Sequence, residues 1–146
     1  MAEQFEMKGW LKVANGMMVR LVKLGFSPNS TVLLTVPGRK SGVPRTTPVS
    51  VVRVDGERYI QTPYGERDWV RNLRAAGGGN IQVGRKVERV TVDELSPSEA
   101  VPVLRQVLRM APKFLREHYD ITADAAADEI EREAPKHPVF RLRPAT

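Results

Sequence analysis

Only four residues, Asp55-Gly56-Glu57-Arg58, separate an extended apolar run at residues 46–54 from the next apolar pair, Tyr59-Ile60. A parallel crossover needs a dozen or more residues, so these neighbours must pair antiparallel. Asp-Gly is also the dipeptide that a tight hairpin turn prefers, because both central positions adopt φ > 0. This connection excludes a Rossmann-type parallel sheet.

The other segments agree with an antiparallel architecture. Residues 5–24 read as an amphipathic helix in which Trp10, Leu11, Ala14, Met17, Met18, Leu21 and Val22 share one arc. It is expected to pack through Trp10, Met17 and Leu21, and Gly25 to Ser30 ends it. The β-branched run at 31–36 is a buried strand, 37–45 a loop, and 46–54 a second strand leading into the hairpin. Asp68 is placed to cap a short helix over 69–76, with Trp69 and Leu73 as its buried contacts. Gly77-Gly78-Gly79 stops that helix, and strands follow near 80–83 and 87–95. Ser96-Pro97-Ser98-Glu99 is a capping box with proline at the first helical position, opening a helix to about Met110. Pieces of helix and loop fill 112–136, and a last strand runs over 138–143. About six strands with few helices between them favour a small antiparallel barrel or sandwich with peripheral helices.

The 146 residues fit one domain and suffice for a core without staples. The absence of cysteine excludes disulfides, thiolate nucleophiles and cysteine metal sites. Two histidines, His118 and His137, are too few for a histidine-built metal cage, so no metal is expected. No stretch approaches the ~20 apolar residues of a membrane span, and Met1-Ala2-Glu3-Gln4-Phe5-Glu6 lacks the blocks of a signal peptide. The expected location is cytoplasmic. Lys8, Lys12, Arg20 and Lys23 would also permit peripheral contact with a membrane surface through residues 5–24.

Charge is concentrated in the middle of the chain. Residues 36–89 hold eleven bases against five acids, whereas the rest balances. An anionic partner is therefore expected there. Gly38-Arg39-Lys40-Ser41-Gly42-Val43-Pro44-Arg45 is the most informative stretch. Two glycines let backbone N–H groups converge on an anion, and three bases with a hydroxyl add contacts. It is not a Walker loop, because the lysine precedes Ser41-Gly42 and no glycine stands five residues before it. The plainer reading is a cationic hairpin loop. Pro48, inside a strand, marks an edge or bulge. Thr62-Pro63-Tyr64-Gly65 leads into a helix start that can face a polar ring. Asn72 either contacts a ligand or satisfies local backbone groups. His118 and His137 lack a serine elbow or paired carboxylate and read as surface or packing residues.

Gly38-Arg39-Lys40-Ser41-Gly42-x-Pro44-Arg45-x-x-Pro48, then Asp55-Gly56, then Trp69-x-x-Asn72-Leu73 resemble the deazaflavin-dependent nitroreductase family. These actinobacterial proteins use reduced coenzyme F-420. The resemblance covers about residues 31–95 and implies a split β-barrel of the FMN-binding type. Residues 1–146 then form one domain: an N-terminal helix in 1–30, a barrel core with the cofactor loop in 31–95, and helices with the final strand in 96–146. It implies that Arg39, Lys40, Ser41, Val43 and Arg45 hold the phosphate and acidic tail of the cofactor. Pro48, Thr62, Pro63, Tyr64, Gly65, Asp68, Trp69 and Asn72 would line the deazaflavin end. Tyr64 and Tyr119 are candidates for donating a proton or hydrogen bond to the acceptor. The tyrosine-rich C-terminal segment of nitro-reducing members is reduced here to Phe114 and Tyr119.

The expected function is hydride transfer from reduced coenzyme F-420 to a quinone-like, nitro or other conjugated acceptor, in a homodimer. FMN is the second choice of cofactor. Two other classes stand against this reading: a non-catalytic carrier of deazaflavin, flavin or lipid, and a basic nucleic-acid-binding module. Nine aromatic residues leave few stacking platforms for the last.

Overall fold

The computed structural model describes residues 9–25, 30–62, 65 and 67–145, with backbone alone at 9–15, 114 and 115. The readings placed on residues 5–8, 26–29, Pro63 and Tyr64, and on the side chains of Trp10 and Phe114, lie outside the described residues.

Six strands close into one antiparallel barrel in the order β1-β2-β3-β6-β5-β4. They are β1 (Thr31–Pro37), β2 (Pro44–Val54), β3 (Glu57–Gln61), β4 (Gly78–Val83), β5 (Lys86–Glu94) and β6 (Val139–Pro144). The hairpin turn has the geometry its dipeptide demands, with φ of 51° at Asp55 and 80° at Gly56. The C-terminal strand β6 inserts between β3 and β5, setting Phe140 opposite Ile60 on one side and Glu94 on the other. Leu34, Val36, Ile60, Val90, Phe140 and Leu142 form the main core, with Val70 and Leu73 packed into it.

The helices are α1 (Gly9–Lys23), α2 (Asp68–Ala76), α3 (Pro97–Met110), α4 (Lys113–Arg116) and α5 (Ala127–Glu133). The Ser96 hydroxyl accepts from the Glu99 N–H while the Glu99 carboxylate accepts from the Ser96 N–H, so the capping box forms as read. On the outer side of the sheet, Val103, Leu104, Val107 and Leu108 of α3 build a second core with Tyr119, Ile130 and Val139.

Several expectations are corrected. Asp68 is the first helical residue of α2; the cap position is Arg67, with no side-chain capping bond. The Asp68 carboxylate lies 3.6 Å from both Arg39 and Arg71, as an exposed ion pair rather than a cap. Only Gly77 terminates α2, because Gly78 and Gly79 already belong to β4. A Cβ at Gly79 would stand 2.6 Å from the Thr35 carbonyl oxygen, so glycine serves close strand approach there. Helix α1 is turned away from its expected face. Val22 is fully buried and its carbonyl accepts from the Gly84 N–H at 2.8 Å, whereas Met17 and Leu21 are 59% and 39% exposed. The apolar arc was broad enough to offer two faces, and the bond to Gly84 selects one.

Candidate functional site

The barrel wall is split beside β2. Strand β1 pairs with β2 along its lower part, from Pro44 to Ser50, but β3 pairs only with Val51 to Val54. The lower half of β2 is therefore an edge on its β3 side. Pro48 stands in this stretch, where its missing N–H costs no ladder bond. The edge reading of Pro48 holds.

A groove of about 320 Å³ opens along that edge. Pro48 to Val52 form its floor, and Gln61 and Thr62 form one wall as β3 ends. The C-terminal end of α3, with Val107 and Met110, and Tyr119 flank it, and Trp69 from the first turn of α2 borders it. The structure thus brings Pro48, Thr62, Trp69 and Tyr119 together along one groove. Tyr119 is buried, and its hydroxyl donates to Gln61 Oε1 at 2.7 Å. Gly65 is buried nearby in the chain, with φ of 80°.

The basic loop connects β1 to β2. It closes on itself: Gly38 N–H donates to the Val43 carbonyl at 2.9 Å and Gly42 N–H to the Gly38 carbonyl at 2.8 Å. The Val43 N–H donates to Ser41 Oγ, which leaves the Ser41 hydroxyl hydrogen free to donate elsewhere. The N–H groups of Gly38, Arg39, Gly42 and Val43 are thus bonded within the protein, which leaves those of Lys40 and Ser41, with the exposed side chains, as the loop's donors toward an anion. Lys40, Ser41, Val43 and Arg45 are all exposed, and neither Lys40 nor Arg45 has an acidic partner among the described residues. Other bases of the segment are neutralised: Arg58 is bidentate to Glu88 at 2.8 and 2.7 Å, and Arg74 to Glu94 at 2.7 and 2.9 Å. The Arg58 guanidinium also holds the Glu88 carboxyl below its usual range.

Arg39 and Asn72 behave differently from the rest. Asn72 is buried on α2, and its Oδ1 accepts from the Arg39 backbone N–H at 3.0 Å and from Arg39 Nη1 at 2.9 Å. Neither side of the sequence reading foresaw this, because the partner lies 33 residues away. Asn72 staples the basic loop to α2. From Arg45 to Pro48 is three strand residues, or roughly 10 Å. Asn72→Ala should cost about 2 kcal/mol, because a charge-assisted and a backbone hydrogen bond lose their acceptor. The expected result is a thermal midpoint lower by about 5 °C for a domain of this size; an unchanged midpoint would show that the staple contributes nothing.

His118 is exposed. His137 is packed in the interior, one of the two readings its sequence gave, and it has a carboxylate partner that those readings did not include. It is 1% exposed, with Nε2 2.8 Å from Glu133 Oε2. Glu133 and His137 are four residues apart, a spacing that could have flagged the pair. Burial pushes the imidazole below its ordinary 6.5, against the opposing pull of Glu133. Among the described residues no group of histidine and acidic side chains could hold a metal ion, and no helix is long and apolar enough to cross a membrane.

A family model described as F420H(2)-dependent quinone reductase matches residues 11–129. A solved structure described as a domain-swapped dimer superposes with a TM-score of 0.57 at 22% identity, covering 92% of this chain and 97% of its own. The structure of an F420-H2 dependent reductase, FDR-A, gives 0.54 at 22% identity over 78% of this chain and 94% of its own. A putative pyridoxamine 5′-phosphate oxidase from Listeria innocua gives 0.54 at 8% identity, over 90% and 93%. These likenesses bear on the fold, and they agree with the split barrel.

Proposed function

Since the chain belongs to the F420H(2)-dependent quinone reductase family and is a reductase that uses coenzyme F-420, we propose that it passes hydride to a quinone-like or other conjugated acceptor in the groove beside Tyr119. The observation that carries this reading is the pairing of an open, largely apolar groove with two exposed cations that have no acidic partner among the described residues, Arg45 about 10 Å along the same strand and Lys40 in the loop before it. A long cofactor with an anionic tail and a planar ring fits that arrangement. Lys40 and Arg45, with the Ser41 hydroxyl, would hold the phosphate and acidic tail. Arg39 would act through Asn72 and Asp68 to keep the loop in place. Pro48, Thr62 and Trp69 would border the ring, and Gly65 would shape the chain leading to it.

When bound, the reduced deazaflavin supplies the hydride. The protein's part is to orient and to exclude water. The apolar side chains of β2 make the floor and those of α3 one flank, and a bound cofactor and acceptor would exclude water there, so that hydrogen bonds to an acceptor carbonyl count for more than in water. The Tyr119 hydroxyl is placed to make such a bond by exchanging its Gln61 partner. We take the assembly to be a homodimer, as the domain-swapped neighbour suggests, and its location to be cytoplasmic.

The test is oxidation of reduced coenzyme F-420 by a soluble quinone, followed by the return of the oxidised cofactor's fluorescence. Turnover supports the reading; binding without turnover with any quinone or nitro acceptor would make the protein a carrier. Cofactor choice gives a second check. Coenzyme F-420 carries several carboxylates beyond its phosphate, so it should bind more tightly than FMN, with the gap shrinking as salt rises. Protein that purifies yellow with flavin and ignores coenzyme F-420 in competition would contradict it.

A further inference from the structure

Among the described residues, Glu133 and His137 are the only buried titratable side chains apart from Tyr119. Neither lines the groove, yet both hold what does. His137 Nδ1 lies 3.2 Å from the Thr62 carbonyl oxygen, at the groove wall. The His137 ring stacks on Tyr119, with centroids 4.1 Å apart and planes at 28°. On the far side Nε2 meets Glu133 Oε2, which also accepts the Asp120 N–H at 3.3 Å, the residue after Tyr119. Lys136 Nζ reaches Glu133 Oε1 at 3.4 Å and Asp120 Oδ2 at 3.1 Å.

A buried polar pair is a poor filler. Replacing such pairs with apolar side chains of similar volume is often neutral or stabilising, so packing alone does not call for one here. What the pair adds is direction: two ring nitrogens and one ring face tie the end of β3, the Tyr119 segment and the turn before β6 to a single point. We propose that Glu133 and His137 are positioning residues of the reductase site, setting the Tyr119 ring and the Thr62 carbonyl where the acceptor meets them. This rests on the groove being the acceptor site.

The groups that face the imidazole are Glu133, Tyr119, the Thr62 carbonyl and, through Glu133, Asp120 and Lys136. Burial disfavours the charged ring. Below the ring's ordinary pKa of 6.5 the unfolded chain binds a proton that the folded protein resists, so fold stability declines as pH falls through that range. Protonation also changes the contacts themselves, because the neutral ring donates from one nitrogen and the imidazolium from both, so the acid limb of acceptor KM should depend on His137.

The experiment measures acceptor KM at saturating reduced cofactor across pH, and cofactor Kd by fluorescence under the same conditions. His137→Phe keeps a ring against Tyr119 but removes the polar contacts with the Thr62 carbonyl and Glu133. It should raise acceptor KM about tenfold, leave cofactor Kd within about twofold, and flatten the acid limb. Glu133→Gln keeps one hydrogen bond to Nε2 but no counter-charge for the imidazolium. It should hold KM within about threefold and move the acid limb to lower pH. Wild-type KM and acid limb in His137→Phe would overturn the proposal. Should that variant fail to fold, an unshifted acid limb in Glu133→Gln would overturn it instead. Failure of the unmodified protein to bind reduced coenzyme F-420 is a separate result, and it would remove the groove reading before the pair is tested.

Discussion

Replacing both Lys40 and Arg45 with alanine should weaken coenzyme F-420 binding about 100-fold while leaving the turnover of bound cofactor nearly unchanged. Hydrogen bonds to charged groups contribute about 1.5–3 kcal/mol each. Both side chains are exposed, so screening by solvent points to the lower end, near tenfold apiece. The two share one anionic ligand, and any non-additivity should show as a double variant less impaired than the product of the singles. Arg45 at the start of β2, roughly 10 Å from Pro48, and Lys40 in the loop before it stand away from the groove floor and from the reacting ring. Equilibrium titration of the single and double variants reads the affinity, and single-turnover oxidation reads the chemistry. A fall in single-turnover rate with unchanged affinity would put these residues at the wrong end of the site.

The largest effect on stability is expected at Phe140. It is 1% exposed, lies in β6 between Ile60 and Glu94, and belongs to the main core. Phe140→Ala should cost about 3–5 kcal/mol, the transfer loss of the ring plus the cavity left behind. That is a large share of the 5–15 kcal/mol that holds a typical domain folded. The strand is also the one that closes the barrel, so the groove should be lost with it. A denaturant midpoint within experimental error of the parent would mean that the barrel closes without this contact.

The features legible in the sequence are the ones decided locally. Asp55-Gly56 needs only its own backbone preferences to make the hairpin. Ser96 and Glu99 cap α3 through groups three residues apart. Pro48 announced an open edge because its chemistry forbids a ladder bond on that side. The basic loop and its charge imbalance were readable because charge is counted, not folded. What stayed hidden depends on partners far away in the chain. Asn72 binds Arg39 across 33 residues, so the choice between ligand contact and local capping could not include the staple that forms. Glu133 becomes significant only when His137 is buried beside Tyr119. Helix α1 offered two apolar faces, and the bond from Gly84 to Val22 picks the one without Met17 and Leu21. The fold followed from turns and caps; the fine wiring of the site followed from tertiary contacts.

The central claim is that the 38–45 loop holds the anionic tail of the cofactor while the groove beside β2 holds its ring. The most direct measurement is a double-mutant cycle in which the second change is made to the ligand. Binding of coenzyme F-420 is compared with binding of the same deazaflavin lacking phosphate and acidic tail, in the unmodified protein and in the Lys40→Ala, Arg45→Ala double variant. The unmodified protein should prefer the tailed cofactor by about 100-fold, and the double variant should lose nearly all of that preference while binding the tail-less ring as before. A double variant that weakens both ligands equally, or that keeps the full preference, would contradict the account.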